Sequence, residues 1–462
     1  MIRIFRHYLS HVYIGLFIVE VSVLFFAMYF GTELRFLYSE SWYKDEYILL
    51  SSAIFAVVTT ISNIGIGLYR RSLSWDDYHL IQRISISFVL SFIILLAIYY
   101  SFPEFKLARG ILLYTFALAL LGILFCRYLF YNYLKIPNLK KKILVIGVGE
   151  NTKKLVTSNA EHMHRGFEIC ACLNLNDSKV IVDHPQIISS YKSIVSVVEE
   201  LDIDEIVLAL DDRRGVFPMD ELLDCKIYGT DVIDLLTFYE REESMIDLEN
   251  IHPSWFVFSD GFGSSGFRVF GKRVVDLLAS SVLLLVSWPF MLLVVIAIYI
   301  ESRFKGPILY RQTRIGEFDE PFDVLKFRSM RTDAEKNGAQ WAKKDDDRVT
   351  KVGVVIRKLR LDELPQIWNV LRGDMSFVGP RPERPQFVDE FDKKIPYYRK
   401  RHRVKPGITG WAQLCYPYGA NEYDARQKLQ YDLYYVKNYS LFLDLTIIIH
   451  TIEVILWGKG AR

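Results

Sequence analysis

Two adjacent carboxylates, Asp362 and Glu363, are the residues of this sequence best suited to chemistry. Apolar residues with helical spacing follow them, Pro365 fits only the first turn of a helix, and Gly373 is a typical residue just past a helix end. The pattern predicts that Asp362 is the N-cap of a short helix, whose dipole stabilises an ionised carboxylate or bound phosphate oxygens. From its position alone, Asp362 fits an ordinary helix cap beside a solvated Glu363 better than a catalytic residue. The choice between these two interpretations depends on the surrounding residues.

The surrounding residues are basic. Arg357 and Lys358 precede the two carboxylates, and Arg381 and Arg384 follow them. Guanidinium groups match the geometry of phosphate oxygens. Two carboxylates recruit Mg²⁺ when phosphates complete its coordination, and a carboxylate can also act as a nucleophile on phosphorus. One acidic pair among scattered cations is typical of phosphoryl transfer, and the sequence carries no P-loop, GxSxG or HExxH motif that would indicate another chemistry.

The composition places this chemistry at a membrane. Apolar residues make up 51% of the chain, and the net charge of +2 gives no reason to expect a nucleic-acid partner. Four apolar runs, each near or above the ~20 residues that cross a bilayer, lie at about 11–31, 47–69, 84–102 and 111–134. Their basic flanks predict a cytoplasmic N-terminus and a cytoplasmic chain from residue 140 onward. Glu20 is expected to make an interhelical hydrogen bond, with a ligand role as the alternative.

A fifth apolar run, 274–300, has basic residues on both sides and Pro289 near its middle. Basic flanks favour the same side of the membrane for both ends, and a proline kinks a helix. We therefore expect a re-entrant helix at about 270–301 that enters and leaves on the cytoplasmic face. A plain fifth span and a buried core helix are the alternatives.

Residues 143–267 alternate apolar strands with charged helical stretches, which favours a parallel sheet. The first strand runs into Gly147-Val148-Gly149, which opens like a dinucleotide-binding fingerprint, but Thr152 stands where the third glycine belongs. We expect a structural sheet domain without a nucleotide, and a bound regulatory nucleotide is the alternative. The glycine-serine stretch at 261–266 is interpreted as a linker.

Four motifs within 268–462 resemble the bacterial sugar transferase family, the monotopic phosphoglycosyl transferases. They are KFRSM at 326–330, LDELPQ at 361–366, GDMSFVGPRP at 373–382 and KPGITGWAQ at 405–413. The resemblance to the large members implies a membrane α plus α/β protein with three domains. These are a four-helix transmembrane bundle at 1–138, a Rossmann-like, CoA-binding-like domain at 139–260, and a mostly helical monotopic catalytic domain with a re-entrant membrane helix at 261–462.

The resemblance also implies an activity. Such enzymes transfer a sugar-1-phosphate from a UDP-sugar to undecaprenyl phosphate, release UMP, and start exopolysaccharide or O-antigen synthesis. It implies that Asp362 is the nucleophile, that the Asp362–Glu363 pair helps to hold Mg²⁺ with Asp362 as the metal ligand, and that Glu363 tunes or orients Asp362. Ser287 and Pro289 match the family's helix break, with one residue inserted. The implied ligands of the donor phosphates are Lys326, Arg328, Arg357, Arg381, Arg384 and Lys405.

Three further features carry open alternatives. Arg360 stands where many relatives carry a small hydroxyl residue, and we expect a solvated cation rather than an influence on sugar choice. The basic run 399–405 is expected to attract anionic lipid headgroups, with donor phosphates as the alternative. The apolar run 441–457 carries Asp444 and Glu453 and is expected to be an interfacial amphipathic helix.

The expected location is the bacterial inner membrane, as a multi-pass protein with its catalytic domain on the cytoplasmic face; the sugar is left open, and so is a homodimer. Two other functions are weaker. A nucleotide-sugar epimerase or dehydratase needs a full glycine fingerprint and a Tyr-x-x-x-Lys pair within 143–267, and neither is evident. A non-enzymatic scaffold leaves the acidic pair and its arginines without a role.

Overall fold

The computed structural model describes residues 2–4, 7–9, 11–36, 48–69, 78–102, 109–134, 140–160, 167–175, 180–182, 185–211, 217–263, 266–334, 347–416, 419 and 421–456. Contacts divide the chain into two units. One unit is Met1–Ile2 with Tyr8–Glu243, and the other is Arg3–His7 with Ser244–Arg462. Two short strands, β1 (Ile2–Ile4) and β2 (His7–Leu9), open the chain.

The first unit begins with four apolar helices, which coincide with the four predicted runs to within a few residues. They are α1 (His11–Phe36), α2 (Ile48–Gly65), α3 (Tyr78–Ser101) and α4 (Arg109–Leu134). α1 packs along α4 and α2, and α2 packs along α3. By length and composition each helix is able to cross a membrane. Large apolar side chains such as Ile18, Val57, Val89 and Leu121 are exposed on their outer faces, as expected of helices surrounded by lipid.

Glu20 shows how α1 tolerates a charge. Its side chain is fully buried, and its Oε1 lies 2.8 Å from Nε of Arg127 in α4, which is also fully buried. The Tyr69 hydroxyl donates to Glu20 Oε2 over 2.6 Å, and Arg127 donates to the carbonyl of Leu68 over 2.8 Å. The predicted interhelical hydrogen bond is confirmed, and it belongs to an ion pair that neutralises both buried charges.

A five-stranded parallel sheet follows, as the alternating pattern predicted. Its strands are β3 (Lys141–Ile146), β4 (Phe167–Leu173), β5 (Gln186–Ile188), β6 (Glu205–Leu208) and β7 (Asp231–Asp234), in the spatial order β5-β4-β3-β6-β7. The helices between and after them are α5 (Glu150–Ala160), α6 (Ile194–Leu201), α7 (Met219–Ile227) and α8 (Leu235–Glu242). The strand order reverses between β3 and β6, so the loops that follow these two strands meet where such sheets usually bind ligands.

The second unit is mostly helical, as the resemblance implied. Its helices are α9 (Pro253–Phe258), α10 (Gly266–Glu301), α11 (Lys351–Lys358), α12 (Gln366–Arg372), α13 (Pro385–Lys394), α14 (Trp411–Cys415), α15 (Glu422–Asn438) and α16 (Leu441–Leu456). Strands β8 (Leu309–Ile315) and β9 (Pro321–Phe327) form an antiparallel hairpin, and β10 (Ser376–Val378) pairs in parallel with β11 (Gly407–Thr409). The main core lies around α15 and α16, with Leu433, Tyr434 and Leu443 fully buried.

Two segments differ from expectation at the edges of this core. Ile246, Leu248 and Ile251, which precede the predicted linker, pack into the core of the second unit. Residues 264 and 265 of the linker lie outside the described residues, and the limits of the three domains stay predictions. Asp444, which suggested a polar face on α16, is buried and lies 2.9 Å from Lys272 Nζ. That face of α16 is therefore fixed to protein, and the side chain of Glu453 lies outside the described part.

α10 is a helix of 36 residues that contains Pro289. Ser287, the other residue of the predicted break, is buried, with its Oγ 3.7 Å from Sδ of Met291. The helix continues through both residues, and the re-entrant arrangement stays a prediction.

Both ends of α10 contact the polar part of the same unit. Near its start, Asp276 accepts hydrogen bonds from the Ser376 hydroxyl and the Phe377 N–H, both over 2.8 Å. Near its end, Val294 and Ile298 belong to an apolar cluster with Phe327 and Ile356. The stretch between these contacts exposes large apolar side chains, including Leu278, Val282, Leu285 and Trp288.

The ion pair in the first unit gives a stability prediction. Glu20→Gln and Arg127→Met each leave one buried charge without its partner, and we expect each to lower the free energy of unfolding by about 3–5 kcal/mol. The double variant Glu20→Leu/Arg127→Leu leaves no buried charge, and its free energy of unfolding should fall by less than that of either single variant. Denaturant unfolding in detergent, followed by circular dichroism, measures the difference. Lys394→Gln, which breaks an exposed pair with Glu390, is the control and should change little. Equal losses in the single and double variants would contradict the pairing.

Candidate active site

Asp362 and Glu363 lie in one 3-10 turn, Leu361–Glu363, between α11 and α12. Arg360 precedes the turn with φ 59°, in the left-handed region that residues other than glycine rarely adopt. The predicted N-cap is wrong, because Pro365 takes the cap position of α12 and Asp362 lies three residues before it. Proline suits that end because the first N–H groups of a helix have no acceptor within it. Gly373 ends α12 as predicted, with φ 100°.

The turn is held against the β8–β9 hairpin. Asn369 of α12 accepts the N–H of Leu325 over 3.0 Å and donates to the carbonyl of Asp323 over 2.8 Å. These two bonds fix α12 on β9, and Lys326 is the next residue of that strand. Leu361 and Leu364 also pack against the apolar cluster that joins α10, β9 and α11. The acidic turn is therefore positioned by a helix, a strand and the long apolar helix together.

Glu363 is surrounded by three cations. Its Oε1 accepts from Nη2 of Arg381 over 2.7 Å and from Nζ of Lys326 over 3.2 Å, and its Oε2 lies 3.8 Å from Nη1 of Arg360. Burial alone would raise the pKa of the Glu363 carboxyl, but the charges of Arg381 and Lys326 outweigh it and hold the pKa well below its usual range. Glu363 is therefore an anion at neutral pH.

The pKa of the Asp362 carboxyl is shifted in the opposite direction. Its residue is only 9% exposed, and this burial, followed by the negative charge of Glu363, raises the pKa of the Asp362 carboxyl against the opposing charges of Lys326, Arg357 and Arg360. The sequence suggested that the N-terminus of α12 would favour the ionised form of Asp362. In the structure, burial and the charge of Glu363 have the larger effect on its pKa. Two neighbouring carboxyls whose pKa values are pushed apart are typical of sites that divide roles between them.

Lys326, Arg357 and Arg381 act electrostatically on this pair, and their role as phosphate ligands stays a prediction. Lys405 is placed elsewhere. Its Nζ donates to the carbonyl of Gly373 over 2.8 Å, at the end of α12 opposite to the acidic turn. Arg273 of α10 caps the same end by donating to the carbonyls of Val370 and Leu371 over 2.6 and 2.7 Å. The geometry gives Lys405 a capping role, so its assignment to donor phosphate stays a prediction without support here.

The two remaining predicted phosphate ligands lie on neighbouring segments. Arg328 directly follows β9, and its guanidinium lies where a Cβ on Gly306 would collide with it. Arg384 is the residue before α13. Their roles toward a donor stay predictions.

Arg401 is a supporting residue that sequence reasoning misassigned. It is buried, lies 2.8 Å from Asp432, and donates to the Arg381 carbonyl over 2.9 Å, so it fixes the backbone of a residue that holds Glu363. The run 399–405 is not a free cationic surface. Arg399 pairs with three carboxylates, and the ring of His402 lies 2.6 Å from Asp319, which leaves Lys400 and Arg403 exposed. No local pattern distinguishes Arg401 from its exposed neighbours.

The resemblance implies Mg²⁺, and the donor set fits this ion only in part. Among the described residues no group of three or more His, Cys, Asp and Glu side chains is close enough to hold a metal. Glu363 is occupied by Arg381 and Lys326, which leaves Asp362 as the available carboxylate. Because Mg²⁺ often binds through one or two carboxylates plus substrate phosphates and water, these residues fit an ion held mainly by a bound diphosphate.

The sequence matches two family models and several known proteins. Residues 267–458 match the family model described as bacterial sugar transferase, and residues 65–215 match one described as CoA-binding domain. A UDP-glucose:undecaprenyl-phosphate glucose-1-phosphate transferase of Caulobacter vibrioides is 42% identical over 192 residues, which cover 41% of this chain and 71% of that protein. The chain belongs to the bacterial sugar transferase family.

Two further relatives are longer than the matched part. A UDP-N-acetylgalactosamine-undecaprenyl-phosphate N-acetylgalactosaminephosphotransferase of Aeromonas hydrophila is 51% identical over 198 residues, 43% of this chain and 46% of that protein. An undecaprenyl-phosphate glucose phosphotransferase of Komagataeibacter xylinus is 32% identical over 356 residues, 75% of this chain and 65% of that protein. The chain thus spans about half to two thirds of the length of these two relatives.

Proposed function

We propose that this protein transfers a sugar-1-phosphate from a UDP-sugar to undecaprenyl phosphate and releases UMP, as the first membrane step of exopolysaccharide or O-antigen synthesis. The names of the three relatives support the acceptor, and two of them also name a UDP-sugar. The observation that carries the proposal is the acidic turn, in which Asp362 has a raised pKa beside a Glu363 that Arg381 and Lys326 keep ionised.

The cations around the acidic turn support an anionic donor such as a diphosphate. Lys326, Arg357, Arg360 and Arg381 each act on the pKa of one or both carboxyls. A diphosphate at this turn would meet ammonium and guanidinium groups, and neutralisation of its charge supplies much of the rate in phosphoryl transfer.

The first step forms a covalent intermediate. A carboxylate oxygen of Asp362 bonds to the phosphorus that carries the sugar, while the bond from that phosphorus to the oxygen bridging to the uridylate breaks. UMP leaves with that oxygen and its electron pair. The raised pKa of Asp362 makes its ionised form a stronger nucleophile than an exposed aspartate. Glu363 stays ionised and holds Arg381 and Lys326 beside the donor.

The second step returns the enzyme to its starting state. A phosphate oxygen of the acceptor bonds to the same phosphorus, and the bond from phosphorus to Asp362 breaks, which frees the carboxylate. A bound Mg²⁺ would neutralise charge on the donor phosphates, and Asp362 is the residue that would help to hold it.

The contacts of α10 support the re-entrant arrangement. Its contacts with the rest of the unit include Asp276 near its start and Val294 and Ile298 near its end. A plain span would place the two ends on opposite sides of the membrane. We infer a shallow helix with both ends on the cytoplasmic face of the inner membrane.

The surface beside the acidic turn supports a membrane-level site. α11, which leads into the turn, exposes Val354 and Val355, and Leu359 is exposed directly after it. Lys351 and Lys358 flank these side chains. An apolar face bordered by lysines is typical of a helix that lies in the headgroup region. Such a placement brings Asp362 to the level of a lipid-linked phosphate while the donor stays in water.

The proposed reaction is tested by UMP release in nanodiscs that contain undecaprenyl phosphate, with a panel of UDP-sugars. We expect release with at least one sugar, and a fall of about 10³-fold or more for Asp362→Asn, because a neutral amide cannot attack phosphorus. Glu390→Gln removes an exposed carboxylate of the same unit and serves as the control. Near-normal turnover of Asp362→Asn would rule out Asp362 as the nucleophile.

The electrostatics predict shifts of opposite sign in the pH profile. The nucleophile must be deprotonated, so the acid limb of kcat/KM should lie above the ordinary aspartate value of about 3.9. Glu363→Gln removes a charge that raises the pKa of Asp362, and the limb should move to lower pH. Arg360→Gln removes a charge that lowers the same pKa, and the limb should move to higher pH. Shifts in the same direction for both variants would contradict the assignment.

A further inference from the structure

The sheet domain carries the beginning of a phosphate-binding loop at its ligand-binding edge. β3 leads into Gly147, whose φ of 132° favours glycine, and α5 begins at Glu150. In dinucleotide-binding sheets the N-terminus of this helix faces a pyrophosphate, whose oxygens accept the first free N–H groups. The occupant of this position therefore decides whether the domain binds a nucleotide there.

Asp211 occupies the position. Its Oδ2 accepts the N–H of Glu150 over 2.9 Å, and its Oδ1 accepts the N–H of Asn151 over 3.0 Å. Asp211 lies just beyond β6, the strand that pairs with β3. The carboxylate therefore reaches α5 from the neighbouring strand's loop, across the point where the strand order reverses.

The contact differs from an ordinary helix cap. Asp234 directly precedes α8 and accepts the N–H of Thr237 over 3.0 Å, as a typical N-cap does. Asp211 instead comes from a distant part of the chain and engages two successive N–H groups with its two oxygens. This bidentate arrangement resembles that of a bound phosphate more than that of a cap.

The glycines of the loop accommodate this carboxylate. A Cβ on Gly149 would collide with the Asp211 carboxylate, and a Cβ on Gly147 would lie 2.7 Å from the Ala209 carbonyl oxygen. Thr152, fully buried, takes the place of the third glycine. The space that glycines open for a pyrophosphate in the full fingerprint is here filled by the chain itself.

We propose that Asp211 is a built-in substitute for phosphate, and that the sheet domain does not bind the diphosphate of CoA or of a dinucleotide at this loop. A diphosphate would need the same two N–H groups, and its charge would meet the Asp211 carboxylate at contact distance. The match of residues 65–215 to a CoA-binding domain then reflects a shared fold, with the anion site filled from within.

Hydrogen exchange of the full-length protein in nanodiscs tests this locally, in peptides that cover Glu150–Ala160. In the unsubstituted protein, CoA and inorganic phosphate should leave exchange in α5 unchanged. In Asp211→Ala the first turn should exchange about tenfold faster, and inorganic phosphate at constant ionic strength should slow it again. Asp211→Asn keeps the side-chain volume and one acceptor, and should show a smaller change in the same directions.

Asp234→Ala is the matched control, since it also removes a carboxylate from a helix start. It should speed exchange in α8 and leave the response of α5 to phosphate unchanged. Two results would overturn the proposal: slower exchange in α5 of the unsubstituted protein with CoA, or a phosphate response of Asp211→Ala no larger than that of the unsubstituted protein.

Discussion

The ion pairs of Glu363 with Arg381 and Lys326 are the interaction on which the candidate site depends. They hold the pKa of Glu363 well below its usual range, so at neutral pH the neighbouring Asp362 carboxyl lies beside a negative charge in a poorly solvated turn. The same two cations are then held beside the proposed nucleophile, where a diphosphate would need them. Loss of Glu363 would therefore change both the proton affinity of Asp362 and the position of the cations.

In the proposed arrangement, the long apolar helix α10 connects this site to the membrane. Arg273, near its start, caps the carbonyl groups at the end of α12, and residues near its end pack with Leu361 and Leu364 on either side of the acidic turn. Both ends of the segment that carries Asp362 are thus fixed by one helix. In the proposed arrangement, the depth of α10 in lipid sets the height of the nucleophile above the bilayer, which suits an acceptor whose phosphate cannot leave the surface.

Local patterns in the sequence predicted the elements well. Apolar runs indicated α1 to α4, strand and helix alternation indicated the parallel sheet, and Gly373 indicated the end of α12, because each depends on neighbouring residues. Interactions between residues that are distant in the sequence could not be predicted from such local patterns. The partner of Glu20 is Arg127, that of Asp444 is Lys272, and the carboxylate at α5 comes from Asp211. Lys405 was assigned to donor phosphates and the run that contains Arg401 to lipid headgroups, because their acceptors, a helix end and the buried Asp432, are visible only after folding.

In the proposed reaction Asp362, rather than Glu363, bonds to the phosphosugar. Peptide mass spectrometry of protein quenched after incubation with a productive UDP-sugar in the absence of undecaprenyl phosphate tests it directly. We expect a phosphosugar on Asp362 that disappears when the acceptor is added. A modification on Glu363, or product formation at full rate with no modified Asp362 at any time, would contradict it.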